Sequence, residues 1–343
     1  TDHVDGLGEN PEIILFHVTL TVKGDEVLVD WTGSSPQVKG GVNCAFPFTK
    51  AATYTPLRSI MGSDMPNCHG FTRPITITAP KGTVTNAVPP GACGARGVSG
   101  FRMIDCLFGA LAQVVPEKVP ADSCGGSSLP TLAGYREGKA FVMSETLLGT
   151  WGGTAHHDGQ EGVPHMGANQ SNVPIELIEI DYPVCIERYG FLPDTGGPGQ
   201  HRGGLSIIRE YRAVDDDVTL TLRSDKRAHP PHGLFGGGPG GPSWSIINPG
   251  TEDRSLPVLL TKPEILNRGD VFRHIKAGGG GYGNPLERDP EAVLADVMVE
   301  KVTPGHAAEA YGVIVVGDVE NGFTIDREAT ERRRQAMEKE AHP

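Results

Sequence analysis

Glycine and proline supply more than a fifth of this 343-residue chain, 47 and 28 residues respectively. That excess limits what it can fold into. Glycine loses more freedom than any other residue on folding, and proline removes an N–H donor, so long uninterrupted helices and strands are disfavoured. No G-X-Y period runs through the sequence, which excludes a collagen-like rod. Short strands joined by many turns and tight loops are expected instead. Glycine gathers in four stretches, Gly91–Gly100, Gly196–Gly204, Gly236–Gly241 and Gly278–Gly283. None contains GxxxxGK[ST], so none is a phosphate loop of that kind. Gly278–Gly283 follows an expected strand, but Asn284-Pro285 blocks an immediate helix, and the dinucleotide fingerprint fails. Close backbone packing or turns is the reading for these stretches.

The length suggests two domains, with three possible. Apolar residues make up 38% and charged residues 21%, enough for packed cores and too balanced for wholesale disorder. A net charge of -12 argues against nucleic acid or an anionic membrane as the main partner. The basic run Arg332-Arg333-Arg334 lies among Glu331, Glu338 and Glu340 and reads as a solvated helix face. Six cysteines are scattered without a CxxC pair, which disfavours a cysteine-rich zinc site and suggests reduced thiols in the cytoplasm. No apolar run reaches the roughly 18 residues needed to span a bilayer, and no signal peptide is visible. The first residue is Thr1, consistent with a processed, truncated or split polypeptide.

Pattern and turn chemistry predict an α+β fold: mixed β-sheets with packed helices, a small β-module near 255–285 and a C-terminal helical segment. Three parts are expected, 1–150, 151–250 and 251–343. A hairpin turns at Lys23-Gly24-Asp25, a helix fits 44–61, and a short strand fits 75–77. Val98, Phe101, Ile104, Leu107, Phe108, Leu111 and Val114 recur every three or four positions, the mark of an amphipathic helix. A second hairpin is expected around Arg136-Glu137-Gly138, and a third over 205–222 around Asp215-Asp216-Asp217. Residues 173–180 suit a helix or a strand, and 229–244 suit neither. Asp289 before Pro290 and Thr303 before Pro304 read as helix starts, with a strand at 313–316 and a last helix over 328–339.

The stretch Trp151–Glu176 carries three histidines, two carboxylates ahead of Pro164, two asparagines and two glutamines among five glycines. Such a segment is a poor core and a good polar loop, the usual place for recognition or chemistry. His156, His157 and His165 could ligate zinc or manganese, or simply hydrogen-bond backbone, since the spacing is not a helix-based metal signature. Asn169, Gln170, Asn172 and Glu176 could hold a substrate amide or form a polar network fixing the loop. Arg96 could bind a carboxylate or phosphate, or pair with an acidic residue. No GxSxG elbow is present. Ser127 and Ser128 are faint nucleophile candidates, and Thr1 a remote one.

Several long segments carry a resemblance: 29–43, 71–90, 167–191, 193–211, 269–297 and 307–315. Together they resemble the hydantoinase B family, which includes the second subunit of ATP-dependent N-methylhydantoinases, the matching half of 5-oxoprolinase, caprolactamase, and acetone and acetophenone carboxylase subunits. Members are usually longer, with an N-terminal half rich in histidine and aspartate that binds the catalytic metal. The resemblance therefore implies the C-terminal portion of such a subunit. It implies a hydantoinase A-like partner that binds ATP and Mg2+, and a divalent metal such as Zn2+ or Mn2+ in the N-terminal half, within a hetero-oligomer. Phosphorylation of a carbonyl or enolate oxygen would activate a cyclic amide toward water or a ketone toward carboxylation. The expected function is that of an ATP-dependent cyclic-amide hydrolase subunit, the alternatives being a ketone carboxylase subunit or a non-catalytic structural chain. In this reading His156, His157 and Glu176 are the catalytic candidates. Asn169, Gln170, Asn172 and Arg96 are the substrate-binding ones, with no metal or cofactor held by this chain.

Overall fold

The computed structural model describes residues 1–126 and 128–341. Ser127, named above, lies outside them. The first layer begins with β1 (Asp2–Val4) paired antiparallel to β2 (Ile14–Phe16). The expected hairpin follows as β3 (Thr19–Lys23) and β4 (Glu26–Asp30), with Gly24 at φ +62° in the turn, a value that favours glycine. Then come α1 (Phe46–Ser59), α2 (His69–Thr72), β5 (Ile75–Thr78), which joins β4 in parallel, and α3 (Arg96–Leu111). Helix α3 is buried at every residue from Val98 to Phe108, its polar positions included. It packs with α1, β1 and β2 around Phe16, Val29, Trp31, Ile104 and Leu107. Each such side chain contributes about 1.5–3 kcal/mol by burial. The Trp31 indole N–H is paired as burial requires, donating to Thr53 Oγ1 at 3.0 Å.

The middle of the chain builds two facing sheets. Its elements are β6 (Leu129–Arg136), β7 (Lys139–Ser144), β8 (Gly149–Thr150), β9 (Glu161–Val163), α4 (Ile175–Asp181), β10 (Val184–Leu192), β11 (Ser206–Ala213), β12 (Val218–Arg223), β13 (Trp244–Ile247), β14 (Arg254–Ser255), β15 (Glu264–Leu266) and β16 (Val271–Ile275). One sheet runs β10-β11-β16-β13-β14, the other β15-β12-β6-β7. Leu132, Met143, Leu220 and Leu222 of the second meet Tyr211, Ile247 and Phe272 of the first in one core. The hairpin at Arg136-Glu137-Gly138 forms as expected. The hairpin over 205–222 does not. β11 pairs with β10 and β16, β12 pairs with β6 and β15, and the acidic turn Asp215–Asp217 crosses between the sheets. Alternation fixes which side chains point inward but not which strand lies alongside, and a short turn serves a crossover as well as a hairpin. The strands expected near 255–285 are present and enter these two larger sheets.

The glycine stretches form a third kind of order, neither helix nor sheet. Along Gly278–Gly283 successive N–H groups donate to Gly241, Gly204, Asp122, Gly238, His201 and Leu234 carbonyls, all at 2.8–2.9 Å. Partners repeat every third residue: 241 then 238, 204 then 201. On these two neighbours a step of three moves back three, while Gly280 and Gly283 turn to Asp122 and Leu234. This is the three-residue turn of an extended, polyproline-like strand that has no internal hydrogen bonds and bonds only to its neighbours. Only glycine fits at its centre. A Cβ on Gly203 would lie 1.9 Å from the Gly279 carbonyl oxygen.

The last part matches its expected caps. Asp289 accepts from Glu291 N to open α5 (Pro290–Met298), and Thr303 accepts from His306 N to open α6 (Pro304–Ala310). β17 (Val315–Asp318) and β18 (Gly322–Ile325) form a hairpin before α7 (Arg327–Ala341). Among the described residues no helix is long and apolar enough to cross a membrane.

Candidate functional site

Two polar regions flank the glycine bundle. The first is an open cavity of about 440 Å³, lined by His156, His157, Asp158, Gln200, His201, Glu287, Arg288 and Asp289. Thr154 shapes its rim: its Oγ1 accepts from the main-chain N–H groups of His156 and His157 at 3.2 and 3.0 Å, leaving both imidazoles exposed. Asp158 accepts a two-pronged bond from Arg288, at 2.6 and 2.7 Å, and another from Arg202 N at 2.8 Å. Burial opposes ionisation of Asp158, but these donors outweigh it and hold the carboxyl below its ordinary range. Burial lowers His201, against the pull of Asp158 at 4.0 Å, and so favours the neutral imidazole. Behind the cavity Arg202 and Arg288 share Asp296, Arg202 also meets Glu161, and Lys301 meets Glu161. This network locks α5 to the glycine bundle and makes the floor rigid.

The second region is a buried charge cluster where the N-terminal strand, α3 and the loops at 122–126 and 224–232 meet. Arg102, fully buried, reaches Asp2 and Asp105 at 2.8 Å, Asp225 at 3.2 Å and Asp122 at 3.6 Å. Lys226 bonds Asp122 and lies 3.5 Å from Asp2. Burial disfavours charge on Asp122, yet Lys226 and Arg102 hold its carboxyl well below the usual range. At Asp225 burial, joined by Asp5, outweighs Arg102 and Lys226 and pushes it up to about 6. Three imidazoles ring the cluster, each on an aspartate: His165 on Asp105 at 3.3 Å, His229 on Asp5 at 2.9 Å and His232 on Asp122 at 3.1 Å. Asp5 also accepts from Arg227 N, Ala228 N and His229 N, which fixes the His229 ring. Burial opposes protonation of His232, but Asp122 raises it above the ordinary histidine value. In His229 and His232 the Nδ1 atom is held and Nε2 is left for a proton or ligand, the orientation that base catalysis uses.

The candidates from the loop at 151–176 do not converge. His156 and His157 share the cavity. His165 is buried in the charge cluster, stacked 6.2 Å from Trp151. Gln170 Nε2 donates to the Thr146 carbonyl, and Asn172 accepts from Leu148 N and donates to Tyr189 Oη. Asn169 is exposed at φ +48°, and Glu176 is exposed on α4. Arg96 lies at the start of α3 beside a separate hollow of about 220 Å³, shared with Phe48 and Arg223. His201, His229, His232, Asp5 and Asp122 were not reached from sequence. His229-Pro230-Pro231-His232 was a visible signal, since two histidines in a segment too rigid to bury them must sit on loops.

Among the described residues no three of His, Cys, Asp and Glu converge as metal ligands. In the charge cluster Lys226 and Arg102 already occupy the carboxylates. The N–H groups of Gly278–Gly283 are spent on backbone carbonyls, so they form no phosphate cradle.

A sequence model described as hydantoinase B/oxoprolinase matches residues 1–285. The chain belongs to the hydantoinase B/oxoprolinase family. A Pseudomonas sp. (strain NS671) protein assigned by name as the B component of a D-/L-hydantoinase is 36% identical over 330 residues, covering 93% of this chain and 54% of that protein. Among solved structures, nucleotide-free acetone carboxylase matches 96% of this chain and 49% of its own, with a TM-score of 0.83 and 19% identity. The ATP-dependent caprolactamase of Pseudomonas jessenii matches 93% and 56%, with a TM-score of 0.81 and 24% identity. At those identities both are likenesses of fold. The chain thus spans about half the length of these relatives. The resemblance drawn from the long motifs is borne out, and so is the α+β fold with mixed sheets.

Proposed function

We propose that this chain is part of an ATP-dependent amidohydrolase of the hydantoinase/oxoprolinase type. In this reading it contributes one wall of a site that opens a cyclic amide after ATP-driven activation of the carbonyl. The observation that carries the reading is family membership, together with a relative named as a hydantoinase component and a fold shared with a caprolactamase. ATP and Mg2+ would be bound by a hydantoinase A-like partner, and Zn2+ or Mn2+ by an N-terminal half of the same subunit. Within this chain the cavity supplies the exposed imidazoles of His156 and His157, and the part-buried one of His201, beside a rigid, ion-paired floor. His156 and His157 would exchange protons with the opening amide. Asn169, Gln170, Asn172, Arg96 and Glu176 lie outside that cavity, so a role for them rests on surfaces completed by other segments.

The shared fold of acetone carboxylase keeps a second reading open, a ketone carboxylase subunit. The test is reconstitution with the ATP-binding subunit and the N-terminal half of the same subunit, and an assay of ATP hydrolysis. One arm uses a panel of hydantoins, 5-oxoproline and lactams, and the other acetone or acetophenone with bicarbonate. Ring opening coupled to ATP supports the hydrolase. Carboxylate formation from a ketone replaces it with the second reading.

A further inference from the structure

The interior face of the five-stranded sheet is apolar at one end and cationic at the other. Tyr189 on β10, Arg209 on β11, His274 on β16 and Ser245 on β13 are successive cross-strand partners and form one row. Directly opposed side chains in such a row stand about 4.5–5.5 Å apart at Cβ. Arg209, His274 and Ser245 are all fully buried. Arg209 Nη1 donates to Glu145 Oε1 at 3.1 Å, but its Nε and Nη2 meet no acceptor among the described residues. His274 Nδ1 is paired with Ser245 Oγ at 3.0 Å, and its Nε2 also has no partner among them. The rings of Tyr189 and Tyr211 lie 4.5 and 5.6 Å from the Arg209 guanidinium carbon. They stack on a guanidinium whose N–H groups point within its plane, so that edge is left free.

Two residues beyond His274, Lys276 is buried on the same face with no carboxylate within reach among the described residues. Its Nζ donates to the carbonyls of Gly126 and, at 2.8 Å, Leu147. Glu145 is the one carboxylate beside Arg209 among the described residues, and it is shared among Arg209, Val173 N and Tyr211 Oη. Two cations therefore face one shared anion, next to three unpartnered nitrogen atoms. Leaving several such groups unmatched in the interior is costly.

We propose that Arg209, His274 and Lys276 line an internal site for one small monovalent anion of the chloride class, capped by Tyr189. The site goes beyond the amidohydrolase reading and does not depend on it. The competing solution is a neutral Lys276 amine with a water molecule against Arg209. Burial does lower Lys276, which makes the two solutions distinguishable.

Crystals of the native assembly grown in sodium bromide test this directly. A bromide anomalous peak in contact with both Arg209 Nη2 and His274 Nε2 is expected. In solution the melting temperature should rise saturably by about 2–4 °C from gluconate to bromide at constant ionic strength. In Lys276→Met, which removes the excess charge, that rise should vanish. A wild-type crystal with only water-like density there, or a wild-type melting temperature indifferent to the anion, overturns the proposal whether or not the variant folds.

Discussion

Substituting Gly279 by alanine should break the glycine bundle at its centre. The added Cβ would lie 2.1 Å from the Trp151 carbonyl oxygen, 2.6 Å from its carbon and 2.9 Å from Gly152 N. All three are main-chain atoms, so no change of side-chain rotamer relieves the clash. The strand must move outward. That movement strains or breaks the bonds from Gly279 N to Gly204 O and from Gly197 N to Gly279 O, both 2.8 Å. Overpacking costs about 1–3 kcal/mol and each lost buried hydrogen bond about another 1 kcal/mol. A loss of roughly 3–5 kcal/mol is therefore expected from these two effects together. Urea denaturation followed by tryptophan fluorescence measures it, with Trp151 beside the clash as reporter. Gly190→Ala is the control, since nothing lies within 4 Å of a Cβ there, and it should remain within about 0.5 kcal/mol of wild type. If both variants unfold at the same urea concentration, backbone contact does not hold the bundle and the reasoning is wrong.

Three further outcomes follow from the polar regions. Asp122→Asn leaves Lys226 and Arg102 buried with one counter-charge fewer and should lose about 3–5 kcal/mol in the same denaturation assay. Asp225 holds its proton more tightly in the folded chain (about 6) than in the unfolded one (about 3.9). Its stabilising contribution is thus complete below about pH 4 and is lost as pH rises through 6. Wild type should lose stability relative to Asp225→Asn over that window, and a difference constant with pH would contradict this. In the reconstituted enzyme, alanine at both His156 and His157 should lower turnover about tenfold or more at unchanged assembly. Full activity in that variant would leave the chain a purely structural role.

Sequence alone reached the fold where the signal was local. Asp289-Pro290 and Thr303-Pro304 mark helix starts because capping involves neighbours only. The apolar spacing from Val98 to Leu111 marks α3 for the same reason. It did not show that Arg102 and Asp105, on the expected polar side of that helix, are buried too. Their partners Asp2, Asp122 and Asp225 lie far away along the chain, and nothing in local spacing joins them. The partition of β11 and β12 between two sheets was hidden likewise, because pairing is a tertiary choice. The glycine stretches announced close packing. Their three-residue bonding rhythm stayed invisible, since a strand made of glycine apart from Tyr282 writes no period into the sequence. His156 and His157 were legible as loop histidines, whereas His201 joins them only through the bundle.

The central claim is that this chain forms part of a shared site and does not act alone. The most direct measurement titrates the purified chain into the ATP-binding subunit together with the N-terminal half of its own subunit, at fixed substrate and ATP, recording cyclic-amide opening. Activity should be absent when any one of these components is left out and rise to a plateau at a defined stoichiometry. Turnover of substrate by this chain in isolation, without any partner, would contradict the account.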